Sequence, residues 1–522
     1  MIVCTKRKKL IEALKETNSS AYSAYEKALY VHDYISNFFR FSGIFPLTGV
    51  SRINLYSVFA ELSMRNLSSH GRACLVIASG IATDDNNKTL FEHLISSHRL
   101  SNVWDFENRE DIFPDIDSRY KFCIWGALGK DIKQPSADLA FYLTNVDQLT
   151  ETGRHFTLSI DDLRLINPDT RTCPTFRNSR EAELAKAIYN RVPAWTLHTS
   201  SHGWPGLLKT PFNMSNDSGL FLTERDLEER GGIFDPYGCI VTANSTYLPL
   251  YESKLIHQYN HRYTTFVGLS REDTEQGKSF EIPIERLADA WNVVKARYWL
   301  DGRIQKERFP GNWFLVYRMI TNATNERTVI ATIIPARPCS HSLSLVDNVD
   351  ASNALLLCST MNSLVFDYCA RQKTPGTNLN HWILKQLPVL PPENYMPDLF
   401  AFIRPHVLEL TYTAWDLQPF AKDCGYDGPP FRWDEERRFL LRCELDAAYF
   451  RLYGIERDDV DYIMETFPIV KRKDEKQYGE YRTKRVILEI YDEIQRAIET
   501  GVAYETRLVP GPADVAVAHE DK

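Results

Sequence analysis

No Gly-x-Gly triplet occurs anywhere in this chain of 522 residues. Glycines at that spacing let the backbone pass close to a phosphate at the start of a helix. Neither a dinucleotide fingerprint nor an S-adenosylmethionine loop of the Phe-x-Gly-x-Gly kind can therefore be built from these residues. The 24 glycines are also few beside a usual share of about 7%, so nucleotide-cradling loops are expected to be scarce. The length exceeds what one hydrophobic core serves, and about three or four compact units of roughly 100–200 residues are expected.

Hydrophobic residues make up 43% and charged residues 25% of the chain. Both lie in the ordinary globular range, and no apolar run nears the ~18–20 residues of a membrane helix. The basic run Lys6 to Lys9 is not followed by a secretory apolar stretch, which predicts a cytoplasmic protein; such a run is more often a solvated helix start than a nucleic-acid patch. Ten cysteines without a Cys-x-x-Cys pair read as reduced thiols rather than a disulfide frame or zinc site. The net charge of −8 leaves DNA binding open, because phosphates are met by a local basic surface and not by the total.

Apolar positions at helical spacing predict helix over residues 6–40 and again over 55–67. A buried strand at 73–78 follows, then a helix at 90–97 and strands at 103–106 and 120–125. That order indicates the closing half of an α/β sheet. From about residue 130 the pattern loosens into short strands and isolated helices, the clearest at 179–189, 223–230, 284–299 and 352–371. Pro388, Pro391 and Pro392 read as a boundary. Beyond it, 398–410, 434–453 and 484–500 form a helical tail, and the last dozen residues are expected to fray.

Three patterns imitate catalytic sites. His257 and His261 have the spacing of a zinc helix, but Gln258 stands where the metalloprotease base would be and no third ligand is evident. Asp115 with Asp131 and Lys133 matches a degenerate nuclease pattern. Gly428-Pro429-Pro430-Phe431 has the double proline of an adenine-flipping loop, yet Gly428 has no side chain to accept a hydrogen bond from a target amino group. No residue is assigned as catalytic and none as a metal ligand.

Two polar clusters suit contact with DNA. Arg318, Asn322, Thr324, Asn325 and Arg327 lie in ten residues between apolar strands, and Arg371, Lys373, Thr377, Asn378 and Lys385 surround Pro375-Gly376. Arg and Asn make two-pronged contacts to guanine and adenine edges, while Lys and Thr serve phosphates.

Longer strings carry a resemblance. Asn54-Leu55-Tyr56-Ser57-Val58-Phe59 looks like the segment after the catalytic Asn-Pro-Pro-aromatic motif of the large adenine-specific DNA methyltransferases of fused type II restriction–modification enzymes and related phage-defence methylases. Gly71 to Ala78, Asp105-Phe106-Glu107-Asn108 and Tyr120-Lys121-Phe122 resemble later strands of that sheet. Asn167 to Pro174, Leu248 to Glu252, Thr321 to Thr328 and Phe366-Asp367-Tyr368 resemble the recognition region, and Trp433 to Arg438 with Glu444 to Ala447 resemble the tail.

The resemblance implies a partial Rossmann-like methyltransferase sheet over 1–130, an α+β target-recognition domain over 131–390 and a helical C-terminal domain over 391–522. It implies S-adenosylmethionine as the cofactor of the intact enzyme, double-stranded DNA as partner, and methyl transfer to the N6 amino group of a flipped adenine. In that family the cofactor loop and the catalytic motif precede the segment resembled here. An upstream polypeptide carrying them is therefore expected, as in a truncated or split enzyme. The alternative is a non-catalytic DNA-recognition or assembly subunit that works with separate catalytic chains.

Overall fold

A computed structural model describes residues 2–50, 52–118, 120–197, 203–204, 207–374 and 377–520, with side chains from Leu10 onward. The side chains of the basic run Lys6 to Lys9 and the turn Pro375-Gly376 lie outside what it describes. The chain divides into two compact units, Met1–Asn190 and Arg191–Lys522, each a mixture of helices and small sheets. The structure thus separates at 190/191, rather than at 130 and 390.

In the first unit, α1 (Ile2–Thr17) and α2 (Ser19–Phe41) are divided at Asn18, whose side chain accepts a hydrogen bond from Ala21 N at 3.0 Å and so caps the second helix. None of the 23 residues of α2 is buried. Tyr30, Tyr34, Phe38 and Phe41 share one side of it, and Phe41 is 80% exposed. After α3 (Leu55–Arg65) come β1 (Arg72–Ala78), α4 (Lys88–Ser96), β2 (Leu100–Glu107), β3 (Lys121–Leu128) and β4 (Asp138–Leu143).

These four strands form one sheet in the order β1-β3-β2-β4. The strand β3 is antiparallel to both β1 and β2, and β2 is parallel to β4. Hence β1 and β2 run the same way with β3 reversed between them, and α4 lies in the connection from one to the other. The sheet continues past residue 130 because β4 pairs Val103 with Leu139 and Trp104 with Ala140. Leu139-Ala140-Phe141 is a continuously buried run without alternation, a pattern that does not distinguish strand from helix.

The strand at 73–78 is present but is not buried. Among the described residues it is the end strand of its sheet, with one neighbour, and no residue from Arg72 to Ala78 is buried. Val76 is 58% exposed and Cys74 is exposed as well.

The second unit holds an antiparallel sheet of β5 (Leu207–Lys209), β6 (Trp313–Arg318), β7 (Ala331–Pro335) and β8 (Leu343–Asp347), in the order β7-β6-β8-β5. A smaller antiparallel sheet joins Trp299–Asp301, Thr246–Pro249, Ile240–Val241 and Ile233–Phe234. Helix α5 (Ala351–Asn362) packs on β7 and on α7 (Pro397–Thr411), while α6 (Leu364–Lys373) packs on α8 (Glu435–Leu452). Two further helices, α9 (Arg457–Glu465) and α10 (Pro468–Tyr478), pack against α11 (Arg482–Thr500), which packs on α8.

Four expectations are corrected in this unit. The helix at 284–299 shrinks to Ile284–Leu287. The Arg262 guanidinium takes the carbonyls of Leu287, Asp289 and Asn292, and Lys295 O accepts from Phe266 N, so tertiary bonds replace the helical ones. The helix at 352–371 is two helices. Ser363 sits between them in extended conformation (φ −68°, ψ 148°) as the N-cap of α6, its hydroxyl accepting from Phe366 N. The prolines near 390 are interior: Tyr453 Oη donates to Pro388 O at 2.7 Å and Trp204 Nε1 to Leu390 O at 2.8 Å. Residues 517–519 are tied down, not frayed, since Arg432 N donates to Val517 O and His519 N to Pro430 O.

Candidate nucleic-acid interface

The two polar clusters, some fifty residues apart in sequence, form one surface. Thr321 N donates to Thr377 O at 3.0 Å and Leu379 N to Met319 O at 2.7 Å, so the loop between β6 and β7 lies alongside the segment after α6. Thr324, Asn325, Thr377, Asn378 and Lys385 are exposed on it, together with the apolar Ile320 and Trp382. Asn322 is half-buried, and its Oδ1 accepts from both the N and the Oγ1 of Thr324, which folds the loop tip.

The other cations of these clusters point inward. Arg327 is buried; it donates to Asn362 O and stands 3.6 Å from Asp367. Arg371 donates to the carbonyls of Asn325 and Glu326, each at 2.8 Å, lies 3.4 Å from Asp367, and stacks 4.2 Å above the Phe467 ring. Lys373 donates to Gln386 O at 2.6 Å, and burial lowers its pKa well below the usual lysine value. Arg318 donates to Ile256 O, and burial brings its pKa down to about 10. These four side chains, expected to contact DNA, are engaged with the protein's own carbonyls. Arg371 thereby ties down the backbone of the loop at Asn325 and Glu326.

Sequence reasoning named Asp367 only within a string and missed that it organises this region. Asp367, fully buried on the first turn of α6, accepts from Thr328 N at 2.8 Å and Val329 N at 2.7 Å while facing Arg327 and Arg371. Its signals were its place in the Phe366-Asp367-Tyr368 string and a carboxylate four residues before an arginine, a spacing equally expected of a solvated helix face.

In the first unit, polar groups gather at the carboxyl ends of β1 and β2, where open α/β sheets hold their ligands. Asn54 precedes α3 without a side-chain cap bond and Leu55 is exposed. Tyr56 Oη accepts from Asn87 Nδ2 at 3.1 Å, which also donates to Gly80 O at 2.7 Å, and Ser57 Oγ donates to Asn87 Oδ1 at 2.6 Å. Ser79 donates to Asp105, whose carboxyl burial pushes up to about 6 against the opposing pull of Lys121. Burial also raises Asp84. These residues do not by themselves form a cradle for S-adenosylmethionine. A Cβ on Gly80 would meet Asp84 Oδ2 at 2.4 Å and Tyr56 Oη at 2.8 Å, so the space beside that glycine is filled by the protein's own side chains.

The catalytic look-alikes have structural surroundings. His257 and His261 lie around a turn closed by His257 N and Asn260 O, not on a helix, and His261 Nε2 is 2.9 Å from Asp416 Oδ1. Phe431 is buried and bridges to Ala518, while Lys133 donates to Ser97 O. Every described cysteine is free, and no helix among the described residues is long and apolar enough to cross a membrane.

No family model matches the sequence, and no curated protein is similar to it at a significant level. Among solved structures, the chain is similar to the type IIL restriction-modification enzyme MmeI, solved in complex with DNA. The two share 9% identity and a TM-score of 0.40 over 82% of this chain and 54% of that one. It is also similar to the type IIG restriction endonuclease BpuSI, at 13% identity and a TM-score of 0.27 over 78% and 50%. The chain spans about half the length of these structures. At such values neither likeness decides the fold or the activity, and the chain's own residues must carry the functional reading.

Proposed function

We propose that this chain supplies the target-recognition region and the later strands of a site-specific DNA N6-adenine methyltransferase. A segment carrying the cofactor loop and the Asn-Pro-Pro-aromatic motif would complete it, whether on a longer form of this polypeptide or on a second one. The observation that carries the reading is the bare edge of β1, which pairs with β3 alone among the described residues and whose Cys74, Val76 and Ala78 are exposed. A strand added there would satisfy the free N–H and C=O groups. S-adenosylmethionine would be held by that added segment, and the methyl group would pass to an adenine drawn out of the duplex.

The test is incorporation of labelled methyl from S-adenosylmethionine into duplex DNA. The chain as given should incorporate none, and a polypeptide carrying the earlier strands should restore transfer; incorporation by this chain unaided would overturn the reading. Target recognition is assigned to the paired loops. Asn325→Ala or Asn378→Ala should cost about 1–3 kcal/mol in binding to the preferred sequence and relax preference at one base position.

A second reading, a non-catalytic DNA-recognition subunit, is favoured by one fact. Both recognition loops and every contact that shapes them lie within the second unit. Sequence-preferring DNA binding without methyl transfer after reconstitution would select it.

A further inference from the structure

The segment that follows β6 runs antiparallel to the segment that follows α6, and the way they pair fixes two side chains next to each other. Thr321 N donates to Thr377 O at 3.0 Å and Leu379 N to Met319 O at 2.7 Å, while Ile320 bridges Asn378. Both hydrogen bonds come from the residues flanking Ile320 and Asn378, and neither from these two. They are therefore a non-hydrogen-bonded antiparallel pair, the kind whose Cα atoms lie closest, at about 4.5 Å, with both side chains on one face. Thr321 and Leu379, the next residues on the two segments, are buried, so the pair faces the other way, into solvent. Ile320 is 53% exposed, and Asn378 is exposed beside it.

A lone isoleucine on a surface is ordinary. This one has an amide held at its side by the backbone, and the amide is largely unspent. Its one side-chain hydrogen bond among the described residues is long, from Asn378 Nδ2 to Thr377 Oγ1 at 3.4 Å, which leaves Oδ1 open. Within the two segments, charge does not oppose a nucleic acid. Glu326 is the only carboxylate in 319–329 and 377–386, and Lys473 holds it, while Lys385 is exposed.

We propose that Ile320 and Asn378 together read one A·T base pair from the major groove, an inference that rests on the reading of this chain as one that recognises DNA. Adenine presents its N6 amino group as a donor and N7 as an acceptor. An asparagine amide answers both, Oδ1 accepting from N6 and Nδ2 donating to N7. Thymine alone adds a methyl group to that groove, and an apolar side chain packs on it. An amide and an alkyl group fixed side by side thus match the two halves of an A·T pair in one orientation. The reversed pair sets the methyl group against the amide, and a guanine offers acceptors at both O6 and N7 with no methyl group across from them.

The test selects the preferred duplex from random sequence with the full chain, then removes one chemical group at a time from it. Deoxyuridine in place of thymidine deletes the methyl group, and 7-deazaadenine in place of adenine deletes N7. At one A·T pair, deoxyuridine should weaken binding about fourfold, as expected for one methyl-sized apolar group. There 7-deazaadenine should weaken it on the order of tenfold, because the amide loses an acceptor. Ile320→Ala should lose the response to the methyl group and keep the response to N7; Asn378→Ala should do the reverse. Both positions are exposed, so folding is not at stake in either variant. The inference is overturned, with DNA recognition still standing, if no A·T pair shows both responses or if either variant keeps the response assigned to its missing side chain. Duplex binding without any sequence preference overturns both.

Discussion

At the edge of the sheet in the second unit, Asn362 accepts from Ala331 N at 3.0 Å and donates to Ala331 O at 2.9 Å, and α5 lies over the strand. All five residues of that edge strand, β7, are buried. At the edge of the sheet in the first unit, none of the seven residues of β1 is buried, and nearby in sequence α2 displays a largely exposed stripe of tyrosine and phenylalanine. The sequences of the two strands are about equally apolar. What differs is whether the chain carries a cover for the edge, and a large exposed apolar patch is the ordinary mark of a surface that meets another polypeptide.

The comparison breaks most visibly if the covered edge can do without its cover. Asn362→Leu should destabilise the second unit by about 1–3 kcal/mol, since it leaves the Ala331 N–H buried and unpaired while the Ala331 carbonyl keeps Tyr259 N. Urea unfolding of the full chain, with hydrogen exchange at Ala331, reads this directly, and a loss below about 1 kcal/mol would show the asparagine to be incidental.

Each unit also buries a carboxyl raised to about 6, Asp105 in the first and Asp446 in the second. A carboxyl whose folded pKa exceeds its unfolded value binds its proton more tightly when folded. The stability it contributes is therefore greatest below about pH 4 and is lost as pH rises to about 6. Asp446→Asn should stabilise the second unit by about 2–3 kcal/mol at pH 8 and by almost nothing at pH 4. Asp105→Asn should do the same in the first unit. A pH-independent effect in either variant would contradict the assigned titration.

Hydrogen exchange sharpens the contrast between edges. Amides of β1 that face away from β3 should exchange on the order of a hundredfold faster than those of the central strand β6, and should slow when a partner polypeptide is added. Protection in β1 equal to that in β6 for the monomeric chain would mean the edge is already paired, and the proposed completion would lose its support. The smallest effect on folding is expected from Val76→Lys. Its side chain is already in water, so stability should stay within about 0.5 kcal/mol, while association through the edge should fall because lysine blunts strand pairing.

The long helices and the order of β1, α4, β2 and β3 were legible in the sequence, because their apolar periodicity is local and their ends carry capping residues. Residue exposure was not. The run Ala73 to Ala78 reads as interior by composition, yet burial depends on neighbours that lie elsewhere or on another chain. Arginines were misplaced for a related reason: Arg327 and Arg371 look like DNA readers in a loop sequence, and only the fold puts Asp367 between them. The clusters themselves were recognised, but that they meet through Thr321 and Thr377 depends on a pairing across more than fifty residues. The packing of the prolines near 390 was not legible, because prolines mark turns whether those turns are exposed linkers or packed interior ones.

Arg262 shows what such long-range dependence entails. Its buried guanidinium gathers the carbonyls of Leu287, Asp289, Asn292 and Thr413 from two distant stretches of chain. The shape of the 287–292 segment is thereby recorded in a side chain 25 or more residues away rather than in the segment's own conformational preferences. Such a segment is free to change its composition, because its carbonyls are the same whatever side chains it bears. The arginine is not free: a lysine there has three donors on a single atom and cannot reach four carbonyls arranged around a planar fork. Variation in this part of the molecule should accordingly be lopsided, broad across the loop and narrow at the one position that shapes it.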